Sequence, residues 1–188
     1  MNDKYTLRAA TLEDAYDIWK VMDFCAKSME HKEHFICDDL DYVKDILSGH
    51  GFAVAACDVD GEIVGNLLVK YPGLEEENLG YDVFVKTDAD VSQNAVCQIS
   101  LTAETLNQVL HMDSASVHPN HRGHRLESRM IFFAETLVDT SKYHYAFATV
   151  APENTASLKT LKRNGYQVMV TKEKYGGVMR CVMMKTLL

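Results

Sequence analysis

The stretch from residue 109 to residue 137 constrains the fold more than any other part of the chain. Val109 to Val117 has the pattern of a buried strand and is followed by a short turn that contains Pro119 and Gly123. Apolar residues then recur at the spacing of one helix face, at Leu126, Met130, Phe133 and Leu137. The order strand, tight turn and amphipathic helix predicts a layered fold in which helices cover a sheet.

The same alternation of strands and helices extends over the rest of the chain. Further strands are predicted at Tyr5–Arg8, Phe52–Val59, Glu62–Lys70, Tyr143–Val150, Tyr166–Thr171 and Val178–Met184. Further helices are predicted to begin at Thr11, after Asp38 and at Asn154, with Gly49 and Gly165 as the ends of the last two. The pair Asp60-Gly61 lies between two β-rich runs and predicts a hairpin. We therefore expect an α/β or α+β fold with a mixed sheet.

Size and composition narrow the class of protein. A chain of 188 residues predicts one domain over 1–188, with a long variable loop at about 71–107. The net charge of −8 argues against a nucleic-acid binder and against adhesion to an anionic membrane. The longest apolar run, Phe52 to Cys57, is far shorter than the roughly 18 residues of a membrane span. The polar start, Met1 to Arg8, predicts no signal peptide, and five scattered cysteines suit reduced thiols in a cytoplasm.

The turn after Val117 concentrates positive charge in an otherwise acidic chain. Its basic residues are His121, Arg122, His124, Arg125 and Arg129. The N-terminus of a helix exposes unpaired N–H groups and the positive end of the dipole, which favours a phosphate. The turn therefore predicts a site for a pyrophosphate-bearing ligand, and an ordinary solvated basic turn remains the alternative.

A second motif changes the balance between these two interpretations. After the next predicted strand, Asn154-x-x-Ser157 begins a helix that ends at Asn164-Gly165-Tyr166. The two motifs in this order, spread over about fifty residues within a chain whose predicted elements also match, resemble the GNAT acetyltransferase superfamily. The residues that carry the resemblance are Val117, Pro119, Arg122, Gly123, Asn154 and Ser157.

The resemblance implies a fold, a ligand and a set of binding residues. It implies a mixed, mostly antiparallel sheet of about six to seven strands, flanked by helices and splayed in the middle for acyl-CoA. It implies that the turn binds the pyrophosphate of acetyl-CoA through its backbone. The implied CoA-binding residues are Ser116, Val117, His118, Arg122, Gly123, His124, Arg125, Leu126, Asn154 and Ser157.

Three positions depart from the family pattern. The two later glycines of the turn are replaced by Arg125 and Glu127. The tyrosine that protonates the departing thiolate in many members is replaced by Leu161. A thiol has a pKa of about 8.5, so its thiolate leaves readily and activity does not require this acid. Tyr166 and Tyr175 are candidate substitutes for the missing acid.

The resemblance also implies an amine acceptor, which must lose a proton before it attacks. Asp113 and then His111 are the candidate bases, because they lie on one face of the strand that enters the turn. A structural hydrogen bond for Asp113 and edge packing for His111 remain equally open. Acidic residues in segments 28–37 and 71–106 favour a cationic amine, unless they form a solvated charged surface.

The sequence therefore predicts a cytoplasmic acetyl-CoA-dependent N-acetyltransferase that acts on a primary amine of a small molecule or peptide, as a monomer or homodimer. One alternative is a catalytically silent acyl-CoA-binding or sensing domain, which the changed glycines and Leu161 motivate. Another is a zinc-binding module, although we expect no metal. Its candidate ligands are Cys25, His31, His34 and Cys37, or else His118, His121 and His124, and the first set fits no standard zinc spacing.

Overall fold

The computed structural model describes residues 4–29, 37–86 and 97–187 of the chain. The strands are β1 (Thr6–Ala9), β2 (Gly51–Cys57), β3 (Ile63–Lys70), β4 (Val109–Val117), β5 (Tyr145–Val150), β6 (Gln167–Lys174) and β7 (Val178–Thr186). The helices are α1 (Ala15–Ser28), α2 (Leu40–Asp45), α3 (Gly80–Val83), α4 (Ala103–Asn107), α5 (Leu126–Leu137) and α6 (Thr155–Arg163). Every strand predicted from the sequence is present, with ends that differ by a few residues.

The chain forms two compact units that alternate along the sequence. The first contains Met1–Lys70 and Met112–Val138, and the second contains Tyr71–His111 and Asp139–Leu188. Strand β4 begins in the second unit and ends in the first. The expectation of one domain over 1–188 stays a prediction.

The first unit contains the strand order β1-β2-β3-β4. Strands β1, β2 and β3 are antiparallel, and the β2–β3 connection is the tight turn predicted at Asp60-Gly61. There Gly61 has φ +86°, and the Asp58 carboxylate accepts from the N–H groups of residues 60 and 62. Such a left-handed position favours glycine because a Cβ would crowd the neighbouring carbonyl.

Helix α1 packs the apolar side chains of one face onto this sheet. Thr11 and Asp14 form a capping box before the helix, and the Arg8 guanidinium makes two 2.7 Å hydrogen bonds to Asp14. The core below the helix consists of Ala15, Ile18, Met22, Val43, Ala53 and Leu68. Ala15, Ile18 and Met22 are three and four residues apart, which places them on one face of α1.

The second unit contains the strand order β4-β5-β7-β6. Strands β4 and β5 are parallel over three residue pairs, Val109–His111 with Tyr145–Phe147, whereas β5 with β7 and β7 with β6 are antiparallel. The described part of segment 71–107 contributes α3, α4 and core residues rather than only a surface loop. This core consists of Leu79, Val83, Phe84, Cys97, Leu106, Val109, Phe147 and Val182.

The predicted fold class is confirmed: seven strands in the described residues form a mixed, mostly antiparallel arrangement with flanking helices. Across those same residues, every helix is too short or too polar to cross a bilayer.

Candidate functional site

The turn between β4 and α5 has the backbone of a glycine-rich turn although it holds only one glycine. After a short 3₁₀ turn at Pro119–His121, Gly123 has φ +83°. Arg125, directly before α5, has φ 57° and ψ 28°. This left-handed conformation costs a non-glycine residue roughly 1–2 kcal/mol. Arg125 therefore keeps the backbone geometry that a glycine would adopt, rather than the helical one that its side chain prefers.

Tyr5 anchors this turn from the segment before β1. Its hydroxyl lies 3.1 Å from His121 Nδ1, and its carbonyl accepts a 3.2 Å hydrogen bond from Arg129 Nη2. Its ring also contacts the His124 ring, with 5.1 Å between centroids. Tyr5 itself is buried, so these contacts tie both sides of the turn to a fixed point.

The end of β4 is held by a side chain of the turn itself. Arg122 Nε donates to the Val117 carbonyl at 3.2 Å, and Cys25 Sγ donates to the same oxygen at 3.4 Å. Arg122 is nevertheless exposed on the surface. Its guanidinium therefore has a structural role at the strand end, and its predicted role in phosphate binding stays a prediction.

His118 and Ser116 lie at or directly after the end of β4, and both are less exposed than residues 122–125 of the turn. The His118 N–H donates to Val64 O at 2.9 Å, and its ring stacks on Phe24 with 4.6 Å between centroids. Burial, with His121 and Arg122 nearby, lowers the pKa of His118, so its ring is neutral at pH 7. Ser116 is buried, and no hydrogen bond to its Oγ is found among the described residues.

The second motif forms a helix cap in the second unit. Asn154 Oδ1 accepts from the Ser157 N–H at 3.2 Å at the start of α6. Leu161 is buried one turn further on, and the N–H of Tyr166 donates to its carbonyl. The two motif residues are thus brought together by the helix, and their predicted contact with CoA stays a prediction.

In the first unit, Asp113 lies in a polar cluster with α2. The Tyr42 hydroxyl donates to Asp113 Oδ2 at 2.8 Å, while Ser114 Oγ donates to Asp38 Oδ2 at 3.4 Å. Burial raises the pKa of Asp113 to about 6, although its carboxyl keeps partial contact with solvent. Burial also raises the pKa of Asp38. A carboxyl that is largely buried, keeps some contact with solvent and has a pKa near neutrality has the properties of a general base.

No pattern in the sequence predicts a role for Tyr42 or Asp38. Both lie more than 70 residues from their partners on β4, and such a contact leaves no periodic signal. The one available sign was the pair Asp38-Asp39 before a helix, of which Asp39 proves to be the N-cap of α2.

The other acid–base candidates lie in the second unit. His111 is buried, and its Nε2 accepts a 3.1 Å hydrogen bond from the Leu79 N–H. That bond engages the lone pair that a base would use. Tyr166 is buried, with only 2% of its surface exposed. Tyr175 is about half exposed at φ 51°, with its hydroxyl 3.3 Å from Thr149 Oγ1.

No group of three or more metal-ligating side chains occurs within residues 4–29, 37–86 and 97–187. Of the candidate zinc ligands, His31 and His34 lie outside these ranges. The rings of His118 and His121 are edge to face, and Nδ1 of each has a hydrogen-bond partner within or beside the turn.

Comparison with solved structures identifies the fold. The chain is similar to a GCN5-related N-acetyltransferase from Kribbella flavida, at 16% identity and a TM-score of 0.66 over 100% of both chains. It is similar to a GNAT superfamily phosphinothricin acetyltransferase from Sinorhizobium meliloti, solved in complex with AcCoA. That match has 14% identity and a TM-score of 0.64 over 98% of this chain and 89% of the other.

An acetyltransferase of the GNAT family from Streptococcus pneumoniae is also similar, at 13% identity and a TM-score of 0.62 over 97% of this chain and 99% of the other. No family model matches the sequence, and no curated protein matches it. At these identities the likeness defines the fold, which is that of the GNAT acetyltransferases.

Proposed function

We propose that this protein is an acetyl-CoA-dependent N-acetyltransferase. It transfers the acetyl group to a primary amine of a small molecule or peptide by direct attack within a ternary complex. The observation that carries the proposal is the left-handed backbone at Gly123 and Arg125, which leads from the end of β4 into the 12-residue helix α5. The GNAT fold and the acetyl-CoA complex of the Sinorhizobium meliloti protein support it.

Acetyl-CoA fits the chemistry of this turn as a co-substrate. The first amides of α5 have no acceptor within the helix, and they face the same end as the positive pole of its dipole. The exposed side chains of Arg122 and Arg125 add positive charge there, and the His124 ring is exposed between them. We propose that the backbone of residues 117–126 binds the pyrophosphate. We also propose that Asn154 and Ser157 contact CoA.

Asp113 is the proposed base. The acceptor ammonium, with a pKa of about 10.4 when unperturbed, gives one proton to the Asp113 carboxylate. The neutral nitrogen then attacks the thioester carbonyl, the C–N bond forms and the C–S bond breaks. The nitrogen gives up its second proton to water as the amide forms. His111 is the less favoured candidate, because the Leu79 N–H already occupies its Nε2.

The CoA thiolate that leaves takes a proton from Tyr166, Tyr175 or water. Leu161 is buried and carries no proton to donate. Single-turnover rates of the Tyr166→Phe and Tyr175→Phe variants identify which of these donates the proton.

The acceptor is proposed to be cationic, and the protein cytoplasmic and either monomeric or homodimeric. A net charge of −8 favours the approach of a cation over that of an anion. The Asp38 carboxyl, when ionised, adds negative charge beside the proposed base, Asp113.

Calorimetry with CoA, followed by thiol release with a panel of amines, antibiotics and peptides, tests the proposal. We expect CoA binding that Gly123→Val weakens and thiol release with at least one amine. CoA binding without turnover on any amine would favour the silent acyl-CoA-binding domain, for which Arg125, Glu127 and Leu161 are the motivating departures. Absence of CoA binding in the folded wild-type protein would refute both.

A further inference from the structure

Tyr42 connects helix α2 to strand β4 through a short hydrogen bond. Its hydroxyl donates to Asp113 Oδ2 at 2.8 Å. Its backbone is fixed separately, because the Tyr42 N–H donates to the N-cap carboxylate of Asp39 at 2.9 Å. Tyr42 is therefore fixed at two points. Its backbone is bound at the start of α2, and its hydroxyl is bound to the Asp113 carboxylate on β4.

The groups around Asp113 act in opposite directions on its charge. Burial disfavours the carboxylate and is the largest effect, and the nearby Asp38 carboxyl adds to it. The Tyr42 hydroxyl, the Lys70 ammonium and the Ser114 hydroxyl favour the charged form. Of these three, Tyr42 has the largest effect and makes a direct bond to the carboxyl. Lys70 also lies 6.0 Å from the centre of the Tyr42 ring.

We propose that Tyr42 is the positioning residue for the acceptor base: it donates its hydroxyl proton to Oδ2 of Asp113 and holds that carboxylate ionised and fixed in orientation. This inference rests on the proposed function. Tyr42 keeps its proton throughout the reaction. The proton that moves is the one from the acceptor ammonium, which passes to the Asp113 carboxylate before the nitrogen attacks.

The role of the hydroxyl explains how an enclosed carboxylate stays usable at neutral pH. Without the hydrogen bond, burial would leave more of Asp113 protonated, and a protonated carboxyl cannot accept a proton. With the hydrogen bond, the pKa of Asp113 is about 6. At pH 7 the carboxyl is therefore ionised in most molecules, and it is still basic enough to accept a proton.

Tyr42→Phe removes the hydroxyl and keeps the ring, which packs against the core below helix α1. We expect the acidic limb of the kcat/KM profile to move up by about one pH unit, which lowers kcat/KM about fivefold at pH 6 and about twofold at pH 7. Tyr16→Phe is the matched control, because Tyr16 lies exposed on α1 and contacts Trp19 and Lys20. It should leave the profile unchanged.

A titration of Asp113 itself makes the test independent of turnover. In protein labelled with ¹³C at the aspartate carboxyl groups, the signal absent from Asp113→Asn is that of Asp113. Tyr42→Phe should raise the midpoint of this signal by about one pH unit. 3-Fluorotyrosine at position 42 donates more strongly, so it should lower the midpoint and move the acidic limb down.

Movement of both the carboxyl midpoint and the acidic limb supports the proposal. A carboxyl midpoint that Tyr42→Phe leaves in place overturns it, and so does a midpoint that moves without the limb, since Asp113 would then not be the base. If the wild-type protein releases no thiol with any amine, the proposed function fails, and the carboxyl titration still decides whether Tyr42 acts on Asp113.

Discussion

Replacing Asp113 with asparagine should make the protein more stable at neutral pH while it abolishes the proposed base. The amide side chain keeps the size of the carboxyl and an oxygen that accepts from the Tyr42 hydroxyl, but it carries no charge to bury. Burial raises the pKa of Asp113 from 3.8 to about 6, so ionising this group costs more in the folded protein than in the unfolded chain. The Asp113→Asn variant avoids that cost.

The expected gain in the free energy of unfolding follows from the size of the pKa shift of Asp113. About two pH units correspond to about 3 kcal/mol at 1.36 kcal/mol per unit, if the full shift applies. Partial contact with solvent and the weaker hydrogen bond of an amide reduce this figure, so we expect a gain of roughly 1–2 kcal/mol above pH 6. The folded protein holds the proton more tightly, so wild-type stability falls as the pH rises from about 4 to about 6. The advantage of the variant should vanish below pH 4.

The Asp14→Asn variant is a control in which the change in the free energy of unfolding should have the opposite sign. The Arg8 guanidinium lowers the pKa of Asp14 to about 2. The ionised Asp14 therefore stabilises the fold above pH 4, and this contribution disappears as the pH falls from about 4 to about 2. Because Arg8 is substantially exposed, we expect the loss of this ion pair to cost only about 1 kcal/mol at pH 7.

Urea unfolding of the three proteins between pH 3.5 and pH 8, followed by circular dichroism, measures these differences. The Asp113→Asn variant should gain stability relative to wild type as the pH rises from about 4 to about 6. The Asp14→Asn variant should already be less stable than wild type at pH 4, and this difference should change little above it. A constant difference between Asp113→Asn and wild type at every pH would refute the reasoning, because it would mean that burial does not perturb this carboxyl.

Four further outcomes concern the turn, helix α6 and the two candidate tyrosines. Gly123→Val should raise the Kd for CoA about tenfold by calorimetry; a Cβ there meets no atom within 4 Å, so the cost comes from φ +83° rather than from a clash. Arg125→Gly should leave the Tm unchanged or raised, since relief of the left-handed strain offsets the added freedom of the unfolded chain. Leu161→Tyr should destabilise the buried site by about 1–3 kcal/mol and accelerate single-turnover transfer by less than the roughly 10²–10⁴-fold of a well-placed acid. Either Tyr166→Phe or Tyr175→Phe should slow transfer without weakening CoA binding; equal rates in both variants and wild type would indicate that water protonates the thiolate.

Local chemistry made much of the fold predictable. The capping box at Thr11 and Asp14, the turn at Asp60-Gly61 and the cap at Asn154 each involve residues within a few positions of one another. Their hydrogen bonds depend on side chains that the sequence places side by side. Such signals fix where helices and strands begin and end.

The features that the sequence does not predict depend on contacts between distant residues, or on packing that imposes a conformation the local sequence disfavours. Tyr42 meets Asp113 across 71 positions, and the pairing depends on how α2 packs. Arg125 adopts a conformation that its own side chain disfavours, because the strand end and helix α5 fix the turn on both sides. Segment 71–107 has no clear periodicity, yet Leu79, Phe84 and Leu106 enter a core.

The alternation of the two units along the chain has a consequence during synthesis on the ribosome. Strand β3 is complete at Lys70, but its neighbour β4 begins only at Val109, after residues 71–108, all of which belong to the other unit. At about 5–20 residues per second, the edge of β3 waits roughly 2–9 s for its partner strand. An unpaired edge is a template for pairing with another chain. Nascent chains of this protein should therefore be most prone to aggregate, and most dependent on chaperones, between the emergence of β3 and that of β4.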